Sequence, residues 1–266
     1  MDKTMMKKWA SELLAGCDGG DLENAKVWMC GIEWGWAKEA KLNSDQDEAK
    51  RLEYYTDGVL KEIASGKDEL QKFYDFKKVN EFRFNKQFAK LYTVVKGLKI
   101  ENYLKEMEHF SPSDVFKMNL FPIEFKRDCE SLWKKYKLAE TFPEFPTKSH
   151  YQNWCRENRF PYFAELVKKK NPKVVICTGL GYHKDFLKAF SGGNIAEFNE
   201  SGKIQDPSKK NNVIRSYHYA QLENGTHLFV VPFLVSRYGL NSGELLKQMG
   251  KVILEKLDLV KQSQAA

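Results

Sequence analysis

The chain moves between two hydrophobic rhythms. Residues 4–16 carry Met5, Trp9, Leu13 and Leu14 at helical spacing, and Cys17-Asp-Gly-Gly-Asp21 ends that helix before an apolar run at 26–32 that reads as a strand. From about 38 to 108 the sequence is charged and periodic, with an amphipathic helix over 85–95 leading to Gly97. Such a helical crossover suits a parallel connection to a second apolar strand at 114–120. A helix at about 128–138, a loop at Phe142-Pro-Glu-Phe-Pro-Thr-Lys-Ser149, and helical sequence interrupted at Pro161 and closed by Pro172 come next.

Lys173-Val-Val-Ile-Cys-Thr178 is a continuous apolar run, the form of a strand buried on both faces. A helix at about 182–190 runs into Ser191-Gly-Gly. Val213–Gln221 and His227–Val231 flank Glu223-Asn-Gly-Thr226, a hairpin turn, and the fourth core strand ends at Pro232. The last helix begins near Asn241, where Asn241-Ser-Gly-Glu244 has the form of a capping box, and carries Leu245, Leu246, Met249, Val252, Ile253 and Leu257. Strands alternating with helices predict a three-layer α/β/α sandwich with a four-stranded, mostly parallel central sheet. Its 266 residues fit one domain, with a helical insert at about 38–108 and a C-terminal helix at about 241–260.

Composition narrows the class without naming a function. Hydrophobic residues at 42% and charged residues at 30% are those of an ordinary globular chain, which excludes a disordered or fibrous one. The net charge of +7 leans toward acidic partners, but the lysine pairs are scattered, so most read as solvated surface, with a few free to gather beside a phosphate track. Five cysteines with no C-x-x-C pair read as reduced thiols, not a disulfide frame or a metal site. The first ten residues lack a signal-peptide core and no run reaches membrane-spanning length, so a cytoplasmic location is expected.

The candidate chemistry lies at the strand ends, where α/β sheets bind ligands. The first strand runs into Gly31-Ile-Glu-Trp-Gly35, whose Glu33 can orient a water for attack or, equally, cap a helix or pair with a lysine. The second ends at Asn119, an amide able to read a base edge or to tie down a neighbouring loop. Thr178-Gly-Leu-Gly-Tyr-His183 is too short for a dinucleotide fingerprint and suits a strand-to-helix turn at Gly179, with room for a phosphate at the helix start. His183 and His218 are the histidines best placed for a pocket, with no metal-ligand spacing between them. In Ser236-Arg-Tyr-Gly-Leu-Asn-Ser242, Ser236 and Arg237 suit phosphate while Tyr238 and Leu240 suit wedges; the plainer reading is a loop leading into the last helix. Phe76, Phe82 and Phe84 compete as a ring to stack on a base, or belong to the core.

Together these segments resemble the uracil-DNA glycosylase superfamily over about 26–260, as a divergent member. Gly31-Ile-Glu-Trp-Gly35 is similar to the family's first catalytic loop, with Glu33 in the catalytic slot and Trp34 where proline is usual. Asn119 fits the base-reading asparagine, the stretch from Pro172 to Gly181 fits the third strand, and Pro232-Phe-Leu-Val-Ser-Arg-Tyr-Gly-Leu240 fits the wedge loop, with Phe233 in the slot of the family's histidine.

The resemblance implies a DNA glycosylase that flips a nucleotide out of the duplex and hydrolyses its N-glycosidic bond. Glu33 and Asn119 would be catalytic, and Ile32, Trp34, Phe76, Phe84 and Phe233 would line the base. Gly179, His183, Ser236, Arg237, Tyr238 and Leu240 would meet DNA. It implies no cofactor and no metal, DNA as partner, no membrane, and a monomer. A modified pyrimidine in phage DNA, removed as host defence, is the expected substrate. No lysine stands out as a Schiff-base nucleophile, so a monofunctional enzyme is expected. The rivals are a catalytically silent relative that binds nucleic acid or a partner through the same groove, and a nucleotide-binding α/β protein using Gly179-Leu-Gly181.

Overall fold

A computed structural model describes residues 3–33, 44–66, 82–108, 114–125, 129–208 and 213–264. One mixed sheet organises the chain. Its strands are β1 (Gly19–Gly20), β2 (Val27–Gly31), β3 (Val115–Asn119), β4 (Val174–Thr178), β5 (Glu200–Asp206), β6 (Val213–Gln221) and β7 (His227–Val231), in the order β1-β3-β2-β4-β7-β6-β5. The inner four, β3-β2-β4-β7, are mutually parallel, whereas β1, β6 and β5 join antiparallel. β3, β4 and β7 are buried at every position, as expected of parallel strands covered on both faces.

Alternation along the strands divides the core. Trp28, Cys30, Val175 and Cys177 face a cluster built on helices Lys3–Ala10, Val59–Ser65, Lys148–Asn158, Phe160–Lys170 and His183–Ser191. Met29, Val174, Ile176 and Phe229 face the opposite cluster, built on helices Arg83–Val95 and Gly243–Gln264.

The sheet is therefore wider than the four strands predicted. The four predicted strands are the parallel core, and the predicted hairpin is the β6–β7 pair, with Gln221 opposite His227. The additions are the edge strands. β5 buries only Ile204 and Asp206, so its polar sequence, Glu-Ser-Gly-Lys-Ile-Gln-Asp, hides an element held by backbone pairing to β6. β1 is two glycines paired with Phe116 and Lys117, where the sequence predicted only a helix stop.

Helix boundaries also move. The first helix ends at Ala10, not 16, and Leu14 turns left-handed (φ 51°) while staying buried. Pro161 opens the helix Phe160–Lys170, near its N-terminus where a missing N–H costs nothing. At the last helix the capping oxygen is that of Ser242, which accepts from Leu245 N at 3.2 Å, while Asn241 Nδ2 donates to Arg237 O at 3.1 Å. No helix among the described residues is long and apolar enough to cross a membrane.

Candidate functional site

From β2 the chain crosses to β3 on one side of the sheet, while β4 and β7 extend the other, so the switch point lies between the carboxyl ends of β2 and β4. Gly31 and Gly179 are the residues at this crevice. A Cβ on Gly31 would overlap Asn119 Oδ1. Gly179 turns with φ 124°, a conformation that favours glycine, and a Cβ there would stand 2.6 Å from Ile32 Cδ1. Ile32 is thus packed against the turn. The segment beyond β3 continues the ladder, with Leu120 N donating to Gly31 O at 3.0 Å and Phe121 N to Ile32 O at 2.9 Å. Glu33 comes next along the chain.

Its carboxylate meets an ammonium that the sequence reading passed over. Lys148 Nζ donates to Glu33 Oε1 at 3.0 Å and lies 2.8 Å from Oε2. The side chains are 3% and 6% exposed respectively, so this is a buried ion pair. The position of Lys148 follows from local sequence. Thr147 caps the helix Lys148–Asn158, accepting from His150 N at 3.2 Å, and Glu130 accepts from Lys148 N at 2.9 Å and Ser149 N at 3.3 Å. The first side chain of the helix then runs under Phe125, whose ring centroid is 4.1 Å from Nζ.

Tyr151, one turn on, is wholly buried; its hydroxyl accepts from Ile123 N at 3.0 Å, and its ring stacks on Trp133 at 5.2 Å. Burial first, then nearby Cys155, with Glu33 a smaller contributor, holds its phenol well above the usual range. The visible hint of Lys148 was a lysine just after a Pro-Thr helix start among Phe142, Phe145 and Tyr151.

Asn119, expected to read a base, is engaged within the chain. Its Nδ2 donates to Gly16 O at 2.8 Å and the residue is 4% exposed, so the amide ties the loop after the first helix to β3, the alternative its chemistry also allowed. Arg159 fastens the same junction. Its guanidinium donates to the carbonyls of Ala10, of Ala15 at 2.7 Å and of Asn119 at 3.0 Å, with the Phe163 ring 4.7 Å away.

Two predicted ring residues do meet. Phe84 and Phe233 lie 5.3 Å apart, Phe233 half exposed, with Lys117 Nζ 5.3 Å over Phe84 and 2.6 Å from Asp18 Oδ2. Trp34 and Phe76 lie outside the described residues. Gly179 makes the strand-to-helix turn as read. His183 bonds Leu180 O through Nδ1 at 2.8 Å and stacks on His218 at 4.9 Å; burial first, then His183, lowers the His218 imidazole below its ordinary value.

In the loop after β7, Leu240 is completely buried and cannot be a wedge, whereas Tyr238 at the tip is 74% exposed. That loop is pinned: Leu240 N donates to Phe233 O at 3.0 Å, Gly239 N to Ser236 O at 3.0 Å, and Arg215 to Gly239 O at 3.0 Å and Arg237 O at 3.1 Å. Arg237 reaches over the Tyr238 ring at 5.7 Å, and Ser236 is exposed.

Among the described residues no group of three His, Cys, Asp or Glu side chains is arranged to hold a metal. All five cysteines are free, and burial pushes Cys17 and Cys155 up to about 12, so neither presents a thiolate. Neither a protein-family model nor a curated protein matches this chain.

Proposed function

We propose that the chain is a DNA glycosylase, a cytoplasmic monomer that hydrolyses the N-glycosidic bond of a flipped-out damaged or modified base. The observation that carries this reading is Glu33, a buried carboxylate held by an ammonium just beyond β2, where the strand order of the mixed sheet reverses. In this reading a nucleotide leaves the stack with Tyr238 at the vacated position, and the Phe84–Phe233 pair offers an aromatic surface to the base. Glu33 favours the cationic sugar and orients water toward the anomeric carbon. The C1′–N bond breaks with its electron pair leaving on the base, water bonds to C1′, and the water's proton ends on the base. A decorated pyrimidine of phage DNA is the substrate class proposed.

The test is alkali cleavage of DNAs bearing uracil, hypoxanthine, mismatched thymine, 5-hydroxymethylcytosine and glucosylated cytosine. Abasic sites are expected for at least one base, and Glu33→Gln should lower their formation by roughly 100-fold or more while DNA binding persists.

A second reading, a silent relative that binds nucleic acid, is favoured by the commitment of Asn119 to Gly16 O and by Phe233 in the histidine slot. Binding without base release from any substrate would establish it over the first.

A further inference from the structure

More aromatic surface faces solvent around the loop after β7 than one base requires. Phe82 and Phe233 are each 40% exposed and Tyr238 is 74% exposed, with Phe84 packed 5.3 Å from Phe233. The rings come from two segments fastened to each other. Gln87 Nε2, on the helix Arg83–Val95, donates to Leu240 O at 3.4 Å, and Leu240 N donates to Phe233 O at 3.0 Å. Phe82 stands immediately before that helix, so its ring and those of Phe84, Phe233 and Tyr238 belong to one corner of the molecule. Exposed apolar groups gathered in this way mark an interaction site, whereas the same groups scattered singly would not.

The charge of the corner selects the partner. The segments that build it, 82–95, 213–221 and 232–242, carry Arg83, Lys86, Lys90, Arg215 and Arg237 and not one Asp or Glu. The whole chain has 43 basic residues against 36 acidic ones, so this is a local excess and not the average of the surface. Two of the cations are built into the loop itself: Arg215 donates to Gly239 O at 3.0 Å and Arg237 O at 3.1 Å, and Arg237 lies over the Tyr238 ring at 5.7 Å. The occupant is therefore an anion that also offers flat apolar faces. A nucleic acid with unpaired bases has both. Duplex DNA meets the charge alone, because its base faces are stacked inside and only their edges reach the grooves.

We propose that this corner binds single-stranded DNA and that an unpaired strand is the substrate of the site. The choice of DNA rests on the glycosylase reading. Successive bases stack on the exposed rings while the arginines and lysines follow the phosphates, an arrangement tolerant of sequence because every base has a π-face. The loop supports the choice of strand state. Leu240, the second candidate wedge, is completely buried, which leaves Tyr238 as its one projecting ring. To draw a nucleotide from a duplex, a protein must break pairing as well as stacking, and must leave the opposite base without a partner. From a single strand only stacking is lost, and one ring suffices to replace it.

The test uses the full chain and three labelled probes of about 16 nucleotides, read by fluorescence anisotropy: oligothymidylate, a duplex of the same length, and a strand of tetrahydrofuran spacers that keeps the phosphates and lacks the bases. Oligothymidylate should bind roughly tenfold or more tighter than either of the others, since only it offers free base faces. Tyr238→Ala should weaken oligothymidylate binding by roughly fivefold or more and leave the duplex and the spacer strand within about twofold, while Tyr238→Phe, which keeps the ring, should stay within about twofold of wild type on all three. Tyr238 is exposed, so circular dichroism of both variants should match that of the wild type. Duplex binding as tight as oligothymidylate binding would overturn the proposal, and so would equal binding of the spacer strand, indifference to Tyr238→Ala, or no binding of oligothymidylate. None of the probes requires excision, so the outcome separates from that of the glycosylase reading. Glu33-dependent base release from duplexes with no preference for single strands sinks the strand assignment alone. Tight, Tyr238-dependent binding of oligothymidylate with no base released from any DNA of the panel, single-stranded or duplex, upholds the surface and sinks the glycosylase.

Discussion

Lys148 and Arg159 stand at the two ends of one helix, both cationic and both buried, yet their surroundings differ in kind. Lys148 opens the helix Lys148–Asn158 against a carboxylate that is itself buried. Arg159 follows the last residue, and the hydrogen bonds found for it go to backbone carbonyls, those of Ala10, Ala15 and Asn119. A carbonyl is present whatever side chain the residue bears, so Arg159 reads chain positions. It clamps the N-terminal segment to β3 and is fully buried in doing so. The carboxylate opposite Lys148 exists only because residue 33 is glutamate. One cation fastens backbone and the other faces a carboxylate; burial alone does not distinguish them.

The largest expected effect lies at the clamp. Arg159→Met removes three bonds from a charged donor and should destabilise the chain by about 5 kcal/mol. Urea unfolding measures this, and a loss under about 1 kcal/mol would mean that the carbonyls find water instead. Lys148→Met leaves Glu33 buried without its cation and should cost about 3 kcal/mol. Adding Glu33→Gln should restore at least ~1 kcal/mol of that, because the uncompensated charge is gone. A double mutant less stable than Lys148→Met would place the importance of this pair in packing. Smallest is Asn119→Ala, which removes one buried bond to Gly16 O and should cost about 1–2 kcal/mol. Any base-release rate should then stay within roughly tenfold of wild type; a fall of 100-fold at unchanged stability would return Asn119 to the role of base reader.

The same contrast explains what could be read from the chain and what could not. The parallel core was legible because its strands are apolar throughout and bounded by Gly and Pro, as in Pro172-Lys-Val-Val-Ile-Cys-Thr-Gly179. β5 was not, since an edge strand that buries Ile204 and Asp206 alone leaves almost no hydrophobic period. At the crevice, Asn119 ends β3 in register with Gly31, and Glu33 lies two residues beyond the end of β2. Position was therefore readable for both. Partner was not: whether an amide faces a pocket or a carbonyl depends on Gly16, 103 residues away, and whether a carboxylate meets a lysine depends on one 115 residues away. Strand ends are set by local pattern, whereas side-chain partners are set by tertiary closure.

The loop that carries Tyr238 has a consequence for kinetics. Four backbone acceptors and the buried Leu240 already fix its shape, so a partner that meets the tip has little ordering entropy to supply there. Rigid projections of this kind engage on first contact, without waiting for a rare conformer. Contact with Tyr238 should therefore add no conformational delay to arrival.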